Sequence, residues 1–180
     1  MRIIVIILIF SLLSISQAAA KKTTSVSMNI SLDISENTCT VGMDSSMEVD
    51  LGHWSADQLS SGDARRTTIP IVIDCSESEA VFKDISITVE GDAVDGYRGY
   101  LRLKNEGVTK SSSLGSVAAK LIWSHGGGAV NVNGSTDLSS FLDVSAKKYD
   151  ASMVAQMVAL NGEVEPGNYS GRIIIKLQYN

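Results

Sequence analysis

The chain has 180 residues, 44% of them hydrophobic, with 15 Lys and Arg against 20 Asp and Glu for a net charge of −5. That is one ordinary domain in size, with apolar content enough for a core. The mild acidity, with no Lys/Arg cluster among aromatics, argues against nucleic acid as a partner.

Residues 1–20 read as a secretory signal peptide. Arg2 gives a positive start, Ile3 to Leu13 is an apolar run, and Ala18-Ala19-Ala20 is a small-residue cleavage site. The run falls short of the roughly 20 residues a spanning helix needs, and no cysteine near the cut offers a lipid anchor. The mature chain then starts at Lys21, with a net charge of −6 once Arg2 is gone. Cys39 and Cys75 both lie in the exported part. An even pair in an oxidising compartment is expected to form one disulfide. With His53 and His125 as the only histidines, no metal-ligand spacing is present, and no metal or cofactor is expected.

The mature chain reads as strand after strand. Val26, Met28, Ile30, Leu32 and Ile34 alternate with polar residues, the period of a half-buried strand. Cys39-Thr-Val41 and Met47–Leu51 follow as short strands, with Gly52 as punctuation. Ser55–Ser60 is expected to form one helical turn capped by Ser55. Thr67–Cys75 alternates again, and Pro70 inside it points to an edge or a bulge. Phe82–Glu90, Tyr100–Leu103, Ala118–Trp123 and Ser152–Leu160 are further strands, the last with Met153 and Met157 on one face and Val154 and Val158 on the other. Gly162 and Pro166-Gly167 turn the chain into a final strand in which Tyr169, Ile173, Ile175, Leu177 and Tyr179 share one face. Gly- and Ser-rich connectors occupy 91–99, 106–116 and 126–140. Many strands, Gly/Ser turns and no sustained helical period predict an all-β antiparallel sandwich.

Few residues suggest chemistry. His125-Gly126-Gly127-Gly128 has the look of an oxyanion-hole loop, but no G-x-S-x-G nucleophile elbow accompanies it; a hairpin loop after Trp123 is the simpler reading, and no enzyme is expected. Asp44, Glu48 and Asp50 alternate like a solvated strand face and lack calcium-loop spacing. The methionines, Met28, Met43, Met47, Met153 and Met157, are read as core packing, and Trp54 as a core or edge filler. The sequons at Asn29, Asn133 and Asn168 are discounted, because two of them sit on strands that must pair.

In order along the chain, Cys39-Thr-Val41 after an alternating arm, Val49-Asp-Leu51-Gly52, Ile69-Pro-Ile-Val-Ile73 leading into Cys75, and the terminal block resemble subunits of chaperone–usher pili, of the type 1 and P pilus kind. In that block Gly167 is the fourteenth residue from the end and Tyr179 is penultimate, both hallmarks of the family. The resemblance spans the mature chain. It implies an incomplete immunoglobulin-like β-sandwich, residues 38–180, completed by a donated strand, and an N-terminal donor-strand arm, residues 21–37. The groove strand, with Gly167, Tyr169, Ile173, Ile175, Leu177, Tyr179 and the carboxylate of Asn180, would be gripped by a periplasmic chaperone. At an outer-membrane usher, the arm residues Val26, Met28, Ile30, Leu32 and Ile34 would then enter the groove of a neighbouring subunit. The implied function is a structural subunit of a surface fimbria, supporting cell adhesion, secreted through the periplasm. Family arms carry glycine seven residues before the first cysteine; this chain has Leu32 there. The arm is expected to serve another subunit's groove rather than its own. A single-domain adhesin using Trp54, Tyr97, Tyr100 or Trp123, and a free-standing secreted binding module, are the alternative readings.

Overall fold

The computed structural model describes residues 24–34, 39–42, 46–77, 85–107, 117–160 and 164–179. Residues 1–20, read as a signal peptide, Met43, Asp44, Phe82, Gly162, Asn180 and the flanks of the arm at 21–23 and 35–37 lie outside the described residues. In chain order the elements are β1 (Thr24–Ile34), β2 (Thr40–Val41), β3 (Ser46–Trp54), α1 (Ala56–Ser61), β4 (Arg66–Ile69), β5 (Val72–Asp74), β6 (Ile85–Gly91) and β7 (Tyr100–Arg102). They continue with β8 (Lys104–Asn105), β9 (Val117–Trp123), β10 (Ser135–Asp137), β11 (Leu142–Asp143), β12 (Lys148–Asp150), β13 (Met153–Ala159) and β14 (Asn168–Tyr179).

The fold is all-β and sandwich-like. One sheet runs β10-β6-β14-β1-β3, with β8 on the edge of β14. Opposite it lie β11-β12-β5-β2 and β4-β13-β9-β7. These two act as one sheet with a break. Pro70 has no N–H to give the ladder, and β4 stops before it. The partner strand breaks in step, between β12 and β13. Across the gap the Ile71 N–H donates to the Ser152 hydroxyl at 3.1 Å, and the Ala151 N–H to the Ile71 carbonyl at 2.9 Å. Ser152 is one of two buried polar residues among those described, and this bond accounts for its burial. The edge or bulge expected at Pro70 is thus the end of an edge strand, β4, and a break bridged by a side chain.

The core is filled from both layers by the residues that alternation marks. Ile69, Ile71, Ile73, Ile85, Ile87, Leu101, Leu121, Met153, Met157, Ile173 and Ile175 are fully enclosed. Each such side chain stabilises by roughly 1.5–3 kcal/mol relative to exposure. Cys39 and Cys75 form the expected disulfide, joining the start of β2 to the end of β5. Ser55 caps α1 as expected: its hydroxyl accepts from the Gln58 N–H at 3.3 Å, while the Gln58 Oε1 accepts from the Ser55 N–H at 3.0 Å. Leu59 pins this one-and-a-half-turn helix to the core.

Two sequence expectations change. β3 does not end at Gly52. That residue has φ +93° and sits at a bulge opposite Val26 and Ser27, after which pairing resumes to Trp54. The stretch 126–140, read as a connector, contains β10. The glycines after Trp123 do form the expected loop, Gly126 and Gly127 both taking positive φ.

Candidate functional site

The site is the lane between β14 and β3, and β1 fills it. β1 runs parallel to β14, from Ser25 opposite Asn168 to Ile34 opposite Leu177. On its other side it runs antiparallel to β3, from Thr24 opposite Trp54 to Ser31 opposite Ser46. The arm therefore lies in the chain's own sheet, not in a neighbour's. The physical reason is direct. Without β1, β14 and β3 would each expose a row of unpaired N–H and C=O groups beside an open core. The arm is the strand closest to hand.

Period-two alternation sets what each wall contributes. Val26, Met28 and Ile30 are buried, and so are Tyr169, Ile173, Ile175 and Leu177 on β14 and Val49 and Leu51 on β3. Leu32 stands opposite Ile175 in the ladder, and Ile34 opposite Leu177. Tyr179 stands opposite Ile85 on β6.

Glycines shape the wall by letting other chains come close. Gly171 is opposite Met28. A Cβ there would collide with Leu103, and one at Gly91 with Leu101. Leucines thus press onto bare backbone of β14, beside the arm, and of β6 beyond it. At Gly167 an added Cβ would strike the Asn105 side chain, whose Oδ1 accepts from the Gly107 N–H at 3.1 Å. The Tyr169 hydroxyl donates to the Glu165 carbonyl at 2.9 Å, fixing the turn into β14.

The outer face carries polar clamps that alternation alone did not single out. Arg172 Nη2 donates to the Ser31 hydroxyl at 3.3 Å, and the Ser25 hydroxyl donates to Asn168 Oδ1. Both tie β14 to β1. Lys176 bridges to Glu90 at 2.8 Å, tying β14 to β6. Leu101 and Leu103 were visible as alternating residues, but their contact with Gly171 depends on how the layers stack.

The shifted titrations lie outside the lane. The Lys148 ammonium, 2.8 Å from Asp74, and the Ser76 hydroxyl and N–H hold the Asp74 carboxyl far below the usual carboxylate range. Hydrogen bonds from Ser139 lower Asp137, and those from Ser145 and Ala146 lower Asp143. Burial, then the Asp137 charge, pushes the Tyr149 hydroxyl up. Among the described residues no group of three or more His, Cys, Asp or Glu could hold a metal.

The aromatic residues weighed as ligand contacts are not gathered into one surface. The Trp54 indole N–H donates to the Leu51 carbonyl at 2.7 Å and its ring covers Gly52. Trp123 is 5% exposed and meets Phe141 edge-on. Tyr97 and Tyr100 are paired at 5.4 Å, with Lys120 over the Tyr100 ring.

A protein-family model described as fimbrial protein matches residues 25–180. The chain belongs to the fimbrial protein family. Among solved structures it is similar to the P pilus rod subunit PapA, with 16% sequence identity and a TM-score of 0.57 over 79% of this chain and 92% of that one. At that identity the likeness establishes the fold. No curated protein sequence matches the chain. Family membership makes this fimbrial protein a pilus subunit of the cell surface, associating with other pilus subunits.

Proposed function

We propose that this fimbrial subunit is a structural building block that polymerises by strand donation. Residues 24–34 of one copy enter the lane between β14 and β3 of a neighbour. Strand addition of this kind, for which chaperone–pilin pairs are the standing example, draws affinity from main-chain hydrogen bonds and specificity from pockets for alternate side chains. The observation that carries the reading is the position of β1. It is an interior strand of its sheet, yet every other described element lies on its C-terminal side, beyond the residues that lead to Cys39.

The same physics motivates the partners. A chain whose lane stood open would expose two strand edges beside a row of apolar pockets, an aggregation hazard. A periplasmic chaperone would cover it after residues 1–20 direct export, holding β14 and the carboxylate of Asn180. An outer-membrane usher would bring the next arm. The role is architectural, with adhesion served by the fibre.

Deleting 21–34 should abolish fibres when chaperone and usher are present, while chaperone capture persists. Electron microscopy and co-purification read the two outcomes. Fibres built from the deleted chain would end the strand-donation reading. Removing Gln178–Asn180 should instead impair capture.

A further inference from the structure

We infer that the unassembled subunit is a self-closed, latent monomer: its own arm, inserted parallel to β14, blocks the lane that a neighbour's arm must enter. This rests on the strand-donation reading above and adds a regulatory step to it. One movement, withdrawal of 24–34, both opens the acceptor lane and frees the donor. The closed chain can neither give nor receive.

The covalent connection explains the direction. Four residues separate Ile34 from Cys39, a reach of at most about 18 Å when fully extended. Cys39 is held to Cys75 by the disulfide. β3 re-enters the sheet at Ser46, beside Ser31, so the connection leaves and returns at one end of the lane. Turning the arm end for end would move Ile34 by about 33 Å along the lane, nearly twice that reach. The tether therefore favours parallel entry by the chain's own arm. An arm from another copy carries no such tether and can enter in either direction, since reversal makes it antiparallel to β14 and parallel to β3 and so keeps one ladder of each kind. The arm's pattern suits both. Val26, Met28, Ile30, Leu32 and Ile34 are evenly spaced and centred on Ile30, so the apolar pattern reads the same in either direction. The closed state is thus well packed but has a competitor of the same pattern, free of the tether. Arg172 to Ser31 and Ser25 to Asn168 are the polar contacts that withdrawal must break.

The test places cysteines across the ladder in the full mature chain, Ser27→Cys with Ser170→Cys, which face each other in the closed register. Oxidation of the purified subunit should give a 27–170 disulfide within one chain, at monomer mobility, mapped by mass spectrometry beside Cys39–Cys75. Intermolecular products as the main species, or no 27–170 bond, would overturn the closed monomer. A labelled peptide of residues 24–34 supplies the second arm. The reduced chain should take it up at least about tenfold faster than the oxidised chain, because only an opened lane competes for it. Equal uptake by the two forms would overturn the block. An intramolecular bond with no uptake by either form, and no fibres, would uphold the closed monomer and remove strand donation instead. Hydrogen exchange of the unsubstituted chain gives the same answer without new cysteines. Protection of amides 26–32 that is independent of concentration supports closure, whereas coil-like exchange or protection lost on dilution refutes it.

Discussion

β1 and β14 lie side by side, both long, both apolar at every second residue, yet only β14 is tied into the body of the fold. β14 pairs with β6 and β8 as well as with β1, and Leu103 from the facing layer packs against its backbone at Gly171. β1 pairs with its two flanking strands alone, and four residues separate it from Cys39. Identical patterning thus serves two purposes. A strand with several partners is a wall, and a strand held by two seams alone is, on the strand-donation reading, the removable piece.

The strongest way to break that comparison is to truncate one buried isoleucine in each strand. Ile175→Ala and Ile30→Ala should each lower the unfolding free energy of the isolated subunit by about 2–5 kcal/mol in urea titrations. They should then part company. Ile175→Ala weakens uptake of the 24–34 peptide, since the pocket itself is damaged. Ile30→Ala speeds uptake, since only the resident competitor is weakened. Parallel losses of uptake would mean that the arm is as integral as the wall.

Next in size is the disulfide. Cys39→Ser with Cys75→Ser should cost about 4 kcal/mol on the chain-entropy model for a 36-residue separation. It also releases the anchor of the tether, so amide protection of 24–34 should fall more than that of 168–177. Equal loss across both strands would show that the anchor does not matter to the arm.

Gly171→Ala tests the wall from the inside. Its Cβ has to displace Leu103, which should cost about 1–3 kcal/mol and loosen Met28 opposite, visible as faster exchange of the Met28 amide. The smallest effect is expected at Asp74. Its folded-state pKa is depressed by Lys148, so the unfolded chain takes up a proton first as pH falls. The stabilisation is complete above the unfolded value, near 4, and declines as pH drops towards the folded one. Asp74→Asn should flatten that decline in acid titrations while leaving peptide uptake unchanged, because Asp74 belongs to the opposite sheet.

Much of the fold was legible because strand signals are local. The alternation of 26–34 and 169–179, the cap at Ser55, the cysteine pair and the disruption at Pro70 all follow from residue types at fixed spacings. The short strands between 135 and 150 were not legible. They hold two or three residues each, too few for a period to register, and they exist because β6, β5 and β12 offer them edges. The bulge at Gly52 was misread as a stop for a similar reason: a glycine with positive φ ends a strand or bends it, and the neighbour decides which.

By itself, the sequence determined which of the longer segments are strands, which face of each is apolar, and that two long ones bracket the others. It did not determine that the arm would lie in its own lane, or run parallel to β14. A period of two is the same read forwards or backwards, and a strand's hydrogen bonds are all made to residues distant in the chain. Partner and direction were decided by the tertiary structure, through two open edges and a four-residue tether held at Cys39.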